Sequence, residues 1–414
     1  MKSYVEKNIK DIAKVRIQDL FETEIAKTGE EKLSVASNIL DVILQNQQSN
    51  FKPLSLEYIL AEEDFKNEDD KTTEDETYKA DEVKSIISFP MLLQHTLRIF
   101  LVQNNKGDIS KILDKELLNI FEQHFLLKDK SAELLTREIA SFIELLWRVR
   151  YVFDKHIIKW VRLEDSETHL VCKLEKYESK GNFYLRRQQP ETNEGEALLQ
   201  SLLYHSQQIT THYWLTPYLK YLLDNKGQCS FKYLKYLDNH LLCSSDTESL
   251  IVRTRKFLER FDYSNSNVYD TSLLKKAEGT SFPHYLFYKL EFVLWYTLKD
   301  SKDERWKNFK FTAKNSVEHI SPQTQKDTDT NTVSEAMLNH FGNLSLVSRS
   351  INSEYSNLPF NEKRQRFVNN NRVKLDSLKM DIIYTNYTWS DNLAQQHQDD
   401  MIKYMETYFN TTTL

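Results

Sequence analysis

The chain has 414 residues, which is enough for two or three domains. Glycine and proline contribute seven residues each, about 1.7% apiece, against ordinary usage of about 7% and 5%. So few turn formers exclude a β-sandwich, a barrel or a propeller and favour long helices. Hydrophobic residues make up 40% of the chain, which is enough for a core and excludes wholesale disorder. The formal net charge of −6, taken alone, argues against a nucleic-acid partner.

The N-terminal fifth of the chain begins with helical spacing and then becomes strongly acidic. Residues 1–61 carry apolar side chains at helical intervals and are predicted to form an N-terminal helical segment. Residues 62–82 hold eleven acidic residues and three lysines, a net charge of −8, so the other 393 residues sum to +2. A like-charge block of this kind indicates a solvated linker, predicted over 62–84, although an acidic surface that mimics DNA is the alternative.

Helical periodicity resumes at residue 85 and continues to about residue 300. One long helix is predicted over 131–162, an irregular stretch over 165–195, and a largely apolar, core-forming helix over 284–300. After residue 300 two short β-like runs appear before helical spacing returns. The predicted fold class is therefore mainly α: a multi-helical domain over 85–300, followed by an α+β domain over 301–414.

The cysteines and the N-terminus bear on the cellular compartment. The three cysteines form no C-x-x-C pair, which argues against a thiolate zinc site and fits a reducing cytoplasm. The first fifteen residues lack the apolar stretch of a signal peptide, and no run approaches the roughly 18 apolar residues that would span a bilayer. We therefore expect a soluble, cytoplasmic protein.

The residues with the clearest chemical potential lie between 317 and 364. No phosphate-binding P-loop, serine-nucleophile elbow or H-E-x-x-H helix is present. Instead, four short motifs follow one another in a strand–loop–strand–helix pattern: Glu318-His319-Ile320-Ser321-Pro322, Gly342-Asn343-Leu344-Ser345-Leu346, Asn352-Ser353, and Ser356-Asn357-Leu358-Pro359-Phe360-Asn361-Glu362-Lys363-Arg364. Phosphodiester hydrolysis needs a base for the attacking water and a divalent ion for the leaving oxygen. Glu318 is a hard-oxygen ligand, and the adjacent His319 can accept a proton near neutral pH.

These motifs resemble the HNH-type (ββα-metal) nuclease domain at the C-terminus of Gmr-like type IV restriction endonucleases, which cut modified DNA. The resemblance is specific over 317–367 and weaker over 85–300. It implies that His319 is the general base and that Asn343 holds the His319 ring through a hydrogen bond. It also implies that Glu318 and Asn352 ligate one magnesium or related divalent ion. The implied substrate is DNA, cut in defence against phage or other modified foreign DNA.

The resemblance also assigns basic residues after the motif. Lys363 and Arg364 would contact phosphate, or Lys363 would stabilise charge at the scissile group, and Arg366 would add to nucleic-acid binding. Residues 301–375 contain twelve Lys and Arg against eight Asp and Glu, a local charge of +4. Such a surface can neutralise phosphates in a salt-dependent manner. For the outer members of the patch, Arg372 and Lys374, a solvated helix face is the better interpretation.

Two departures from the family pattern shape the alternatives. The sequence contains no counterpart of the family's N-terminal ParB-like, sulfiredoxin-like domain. That departure implies either a separately encoded protein partner that carries a ParB-like/NTPase domain or a shortened form of a longer chain. After Trp389, the sequence has Gln396 and His397 where the family pattern suggests an arginine. The alternative function is a non-catalytic helical subunit that binds DNA and docks such a partner. An RNA substrate is a third possibility.

Overall fold

A computed structural model of the chain describes eleven ranges of residues: 83–125, 131–163, 166–172, 174–179, 182–187, 194–206, 211–225, 231–242, 248–259, 270–324 and 331–411. The predicted helical segment 1–61 and the acidic stretch 62–82 lie outside these described residues. Within them, no helix is both long enough and apolar enough to cross a bilayer.

Helices dominate the described residues, and the strands are short. The helices are α1 Phe89–Gln103, α2 Leu117–Phe125, α3 Ala132–His156, α4 Glu194–Ser206, α5 Leu215–Asp224, α6 Phe231–Leu242, α7 Leu250–Glu259, α8 His284–Leu298, α9 Glu304–Lys307, α10 Glu335–Leu338, α11 Arg349–Tyr355, α12 Phe360–Asn370, α13 Leu378–Ile383 and α14 Asp391–Thr411. The strands are β1 Val83–Ser85, β2 Lys159–Leu163, β3 Ser166–Leu170, β4 Leu174–Ser179, β5 Asn182–Arg187, β6 Ser316–His319 and β7 Leu344–Val347. The predicted fold class, mainly α with an α+β part, is confirmed.

The region around residue 160 differs from its predicted secondary structure. The helix predicted over 131–162 ends at His156, and the chain continues as β2, which pairs antiparallel with both β1 and β3. The stretch predicted to be irregular over 165–195 contains β3 and the antiparallel β4–β5 hairpin. Over a run as short as β2, the spacing of apolar residues fits the period of a helix as well as that of a strand. The segment forms a strand because it pairs with β1 on one side and β3 on the other.

The described residues fall into two compact units. The first unit comprises residues of Leu118–Lys155 and Cys172–Gln189, and so contains most of α2 and α3 together with the β4–β5 hairpin. Three phenylalanine rings form its aromatic core: Phe121 and Phe125 stack at 5.9 Å, and both meet Phe142 edge-on. The second unit comprises Val83–Leu117, His156–Val171 and the described residues from 194 onward, and it contains all the residues of the predicted nuclease motif.

Helix α8 is the central element of the second unit, as the apolar character of 284–300 predicted. Ten of its fifteen residues are buried, and it packs against α4, α13, α14 and β7. Because α8 contacts both the helices before it and the elements after it, the described residues from 194 onward belong to one compact unit.

Two buried charged side chains on α8 fix its neighbours. Lys289 forms an ion pair with Asp238 of α6, and neither side chain is exposed to solvent. Glu291 accepts hydrogen bonds from the hydroxyl of Ser377 and, at 2.6 Å, from the backbone amide of Leu378. Since those two groups begin α13, the Glu291 carboxylate caps that helix at its positive end. Helix α8 thereby sets the position of the C-terminal elements that surround the nuclease motif.

Candidate functional site

The candidate site is built on an antiparallel β-hairpin followed by a helix. Strands β6 and β7 pair with Glu318 opposite Ser345 and His319 opposite Leu344. Helix α11 begins directly after β7, where the Ser348 hydroxyl accepts a hydrogen bond from the backbone amide of Ile351. Helix α11 packs on β6, which brings the ββα arrangement together as the sequence predicted.

Glu318 lies in a buried ion pair with Lys363 of α12. The Lys363 ammonium donates to Glu318 Oε1 at 2.6 Å and to the backbone carbonyl of His319 at 2.7 Å. Burial raises the pKa of the Glu318 carboxyl and lowers the pKa of the Lys363 ammonium, while the attraction between them opposes both shifts. Glu318 Oε2 accepts no hydrogen bond from any described residue, so one carboxylate oxygen retains its acceptor capacity.

His319 lies beside Glu318 in sequence but has a different partner. Its Nε2 is 3.1 Å from the side-chain oxygen of Asn339, the residue that ends α10. Burial lowers the pKa of His319, and the Asn339 hydrogen bond partly offsets that effect. His319 therefore favours the neutral imidazole that a general base requires, and its Nδ1 forms no hydrogen bond within the described part of the chain.

The structure corrects the predicted role of Asn343. Its side chain does not contact the His319 ring; its oxygen accepts hydrogen bonds from Ser321 N at 3.0 Å and from Trp389 Nε1 at 2.9 Å. Its amide nitrogen donates to Leu338 O at 2.9 Å. Asn343 thus holds together the segments that follow β6 and precede α14. The family resemblance implied a hydrogen bond to the His319 ring, but the Asn343 side chain is bonded to Ser321, Leu338 and Trp389 instead.

Gly342 explains why the motif places glycine before Asn343. Helix α14 crosses this turn so closely that a Cβ atom on Gly342 would overlap the carbonyl oxygen of Ala394. The Gly342 amide also donates to Gln398 Oε1 at 3.1 Å. The tight approach requires glycine, since the obstructing atom belongs to a helix backbone. Helix α14, which lacks the expected arginine, contributes packing and this glutamine instead.

Asn352 lies on α11, half-buried, and its side-chain amide forms no hydrogen bond within the described residues. The side-chain oxygen of Asn352 and Glu318 Oε2 accept no hydrogen bond from the described residues. Oxygen is the ligand atom that magnesium prefers. Among the described residues, no group of three or more His, Cys, Asp or Glu side chains is arranged to hold a metal ion. Magnesium commonly takes most of its ligands from water and phosphate, so a pair of protein oxygens is the number of ligands that such an ion needs from the chain.

The basic residues of α12 occupy three different environments. Lys363 is only 1% exposed, so the structure corrects its predicted contact with phosphate: both of its described hydrogen bonds point inward. Arg364 donates to Tyr384 O at 2.9 Å, and its guanidinium lies 4.2 Å from the centre of the exposed Tyr387 ring. Arg366 is exposed and lies 3.5 Å from the Glu354 carboxylate. Only Arg364 and Arg366 therefore remain available at the surface.

Comparison with known proteins addresses this same region. Residues 267–404 match a family model. That family is the C-terminal domain of GmrSD restriction endonucleases. The match covers β6, β7 and α8 to α13, and it confirms the resemblance of the C-terminal region to Gmr-like enzymes. No curated protein and no solved structure gives a significant match to the chain.

The segment that matches this family model begins at residue 267, well before the motif that first indicated the resemblance. The additional segment includes a 3-10 turn at Gly279–Ser281, whose Gly279 amide donates to Asn339 O at 3.0 Å. Asn339 and Gly279 are the site residues that sequence reasoning missed. Neither residue belongs to a recognisable motif. For Gly279 the signal in the sequence is that the chain has only seven glycines, so each one indicates a special backbone position.

Proposed function

We propose that this protein is a metal-dependent HNH-type endonuclease that hydrolyses DNA phosphodiesters. The observation that carries the proposal is the β6–β7–α11 unit within the GmrSD C-terminal region, which brings a buried Glu318–His319 pair next to a helix with an unbonded asparagine. A restriction endonuclease domain implies DNA as the substrate. Defence in the cytoplasm against phage or other modified foreign DNA is the biological role that we infer.

His319 is the general base in this proposal. Burial keeps the imidazole neutral, and the hydrogen bond from Nε2 to Asn339 leaves Nδ1 as the nitrogen with a free lone pair. That nitrogen would take a proton from the attacking water. The Asn343 side chain holds the loop after β6 in place through Ser321 and Trp389, and it contributes to the site by positioning that loop.

Glu318 and Asn352 would hold a single divalent ion, with magnesium as the expected metal. A bound divalent ion would neutralise charge at the phosphate and the leaving oxygen. Lys363 lies within hydrogen-bonding distance of Glu318, so its ammonium holds the carboxylate in place and adds positive potential at the site. Arg364 and Arg366 supply surface charge for the DNA backbone.

One observation favours the second candidate, a non-catalytic subunit that binds DNA and docks a partner with a ParB-like/NTPase domain. The Glu318 carboxylate is already neutralised by Lys363, as in many structural buried ion pairs, and it needs no metal to be stable. In that case the ββα unit would serve as a DNA-binding scaffold.

A plasmid-nicking assay with magnesium separates the two candidates. We expect wild type to nick DNA and the His319→Ala variant to be slower by about 10²–10⁴-fold, the usual contribution of a general base. Undiminished cleavage by His319→Ala would exclude His319 as the base. Running DNA and RNA in parallel identifies the nucleic acid, because the same arrangement could act on either.

Calorimetric titration with magnesium provides a test that does not depend on activity. Wild type should bind one ion, and Asn352→Ala should bind it more weakly by at least tenfold. Asn361→Ala, an exposed position on α12, is the control and should bind as wild type does. If wild type binds no magnesium yet binds DNA, the non-catalytic candidate is favoured.

A further inference from the structure

We propose that Asn339 is the positioning residue for His319, and that Gly279 is required because it leaves room for the Asn339 side chain. This inference rests on the proposed function for its catalytic meaning, but its structural content can be tested without any cleavage. It links the active-site histidine to a 3-10 turn that precedes α8, about forty residues before the motif.

The hydrogen bond between His319 and Asn339 determines which ring nitrogen carries the proton. A carbonyl oxygen can only accept, so the Nε2 atom that lies 3.1 Å from Asn339 Oδ1 must be the protonated one. The ring is therefore held as the Nε2–H tautomer. Without this acceptor, the imidazole could rotate or change tautomer, and the lone pair would no longer point in a fixed direction.

Asn339 is itself held from two sides. It follows the short helix α10, whose Met337 carbonyl accepts a hydrogen bond from the Asn339 amide. Its own carbonyl accepts from the Gly279 amide at 3.0 Å. These two hydrogen bonds fix the backbone at Asn339, from which its side chain reaches the ring of His319.

Gly279 is tightly constrained next to this side chain. It is buried and has a φ of +56°, a left-handed conformation that favours glycine. A Cβ atom at this position would lie 2.8 Å from Asn339 Oδ1 and 3.2 Å from its Cγ. Any side chain would therefore push away the oxygen that accepts the hydrogen bond from His319. Gly107 offers a matched comparison, since its φ is +88° but a Cβ atom there would meet nothing within 4 Å.

The test measures the tautomer directly. In protein labelled with ¹⁵N-histidine, long-range ¹H–¹⁵N correlation distinguishes a protonated ring nitrogen from one with a lone pair, and the His319→Ala spectrum assigns the signals. Wild type should show the pure Nε2–H pattern for His319. Asn339→Ala should shift both ring nitrogens toward intermediate values, whereas Asn339→Asp, which keeps the acceptor, should restore the Nε2–H pattern.

Gly279→Ala provides an independent variant. It should disturb the His319 signals as Asn339→Ala does, while Gly107→Ala, which also places an alanine at positive φ, should leave them unchanged. In the cleavage assay, Asn339→Ala and Gly279→Ala should lower kcat by up to about 10²-fold with little change in KM, and Asn339→Asp should recover part of the loss.

The outcomes separate this inference from the proposed function. An Nδ1–H tautomer in wild type, or an unaltered His319 pattern in Asn339→Ala, overturns the positioning role whatever the enzyme does. If wild type has no nuclease activity but the tautomer responds as expected, the positioning role stands and the proposed function fails. Loss of the folded spectrum in Asn339→Ala would make Gly279→Ala and Asn339→Asp the deciding variants.

Discussion

Two buried groups of titratable side chains in the second unit differ in their hydrogen bonding. At the candidate site, Glu318 is paired with Lys363, and His319 is bonded to Asn339. The other group, the histidine cluster, consists of His169, His205 and His212, whose rings lie among aromatic side chains. One nitrogen on each of these three rings is buried without a hydrogen-bond partner in the described part of the chain.

The two groups differ in what controls the protonation state of their histidines. In the histidine cluster, loss of water is the leading cause that lowers the pKa, to about 2 for His169 and about 4 for His205 and His212. Those rings stay neutral because charging them is costly, and of the three only His169 has a side-chain hydrogen-bond partner among the described residues, the Ser201 hydroxyl at 2.8 Å. At the site, each group has a specific partner that fixes its direction. A carboxylate and an imidazole that lie side by side, each with its own partner, therefore mark the candidate for catalysis better than a large pKa shift does.

The largest expected effect comes from breaking the ion pair at the site. Lys363→Met should destabilise the protein by about 3–5 kcal/mol, because it leaves the Glu318 carboxylate buried and uncompensated. Urea unfolding at pH 7.5 measures the change. The double variant with Glu318→Gln should recover much of it. Lys307→Met is the control, since the exposed Lys307–Glu304 pair has the same 2.6 Å separation and should contribute nothing measurable.

The next largest effect is a loss of stability at acidic pH, which comes from the histidine cluster. Each ring has a pKa below its ordinary value of 6.5 in the folded state, so unfolding takes up protons as the pH falls below 6.5. Stability should be fully present well above pH 6.5 and should decrease by about 4 kcal/mol at pH 5.5, roughly 1.4 kcal/mol per ring. The measurement is urea unfolding across this range.

His169→Gln sharpens that measurement because it removes one of the three titrations. The slope of stability against pH between 6 and 5 should fall by about one proton. An unchanged slope would mean that His169 is charged in the folded protein, contrary to its deep burial.

Substitution of Asn343 should lower stability, whereas substitution of Asn352 should lower magnesium binding. Asn343→Leu removes three buried hydrogen bonds and should destabilise the protein by about 2–3 kcal/mol, since the donors of Ser321 and Trp389 would be left unsatisfied. Asn352→Leu removes none from the described residues and should leave unfolding unchanged while it abolishes magnesium binding. Equal destabilisation by both substitutions would contradict a ligand role for Asn352.

The smallest effect concerns the surface arginines. Arg364→Ala and Arg366→Ala should each weaken DNA binding uniformly across sequences and reduce the slope of log affinity against log salt by about one. Fluorescence anisotropy between 50 and 200 mM salt measures this slope. Arg255→Ala, which breaks an exposed pair with Glu259 on α7, should leave the slope unchanged if the site alone contacts DNA.

The distribution of charge along the sequence anticipated part of this picture. The overall value of −6 conceals a local +4 between residues 301 and 375, where the site lies. The sequence could not indicate which of those cations are available, because that depends on burial. Lys363 adjoins Arg364 in the chain, yet one points into the core toward Glu318 and the other lies against an exposed tyrosine.

The sequence by itself determined the helical character, the short strands around His319 and the likeness to GmrSD enzymes, because these depend on composition, local periodicity and motif order. Tertiary structure alone decided what each polar side chain contacts. Asn343 and Asn339 lie four residues apart and have the same chemistry, but only the second reaches the His319 ring. That choice is made by the backbone of the 3-10 turn at Gly279 and by α14 against Gly342, both distant in sequence. Such contacts leave no periodic signal, since one glycine at the right place satisfies each of them.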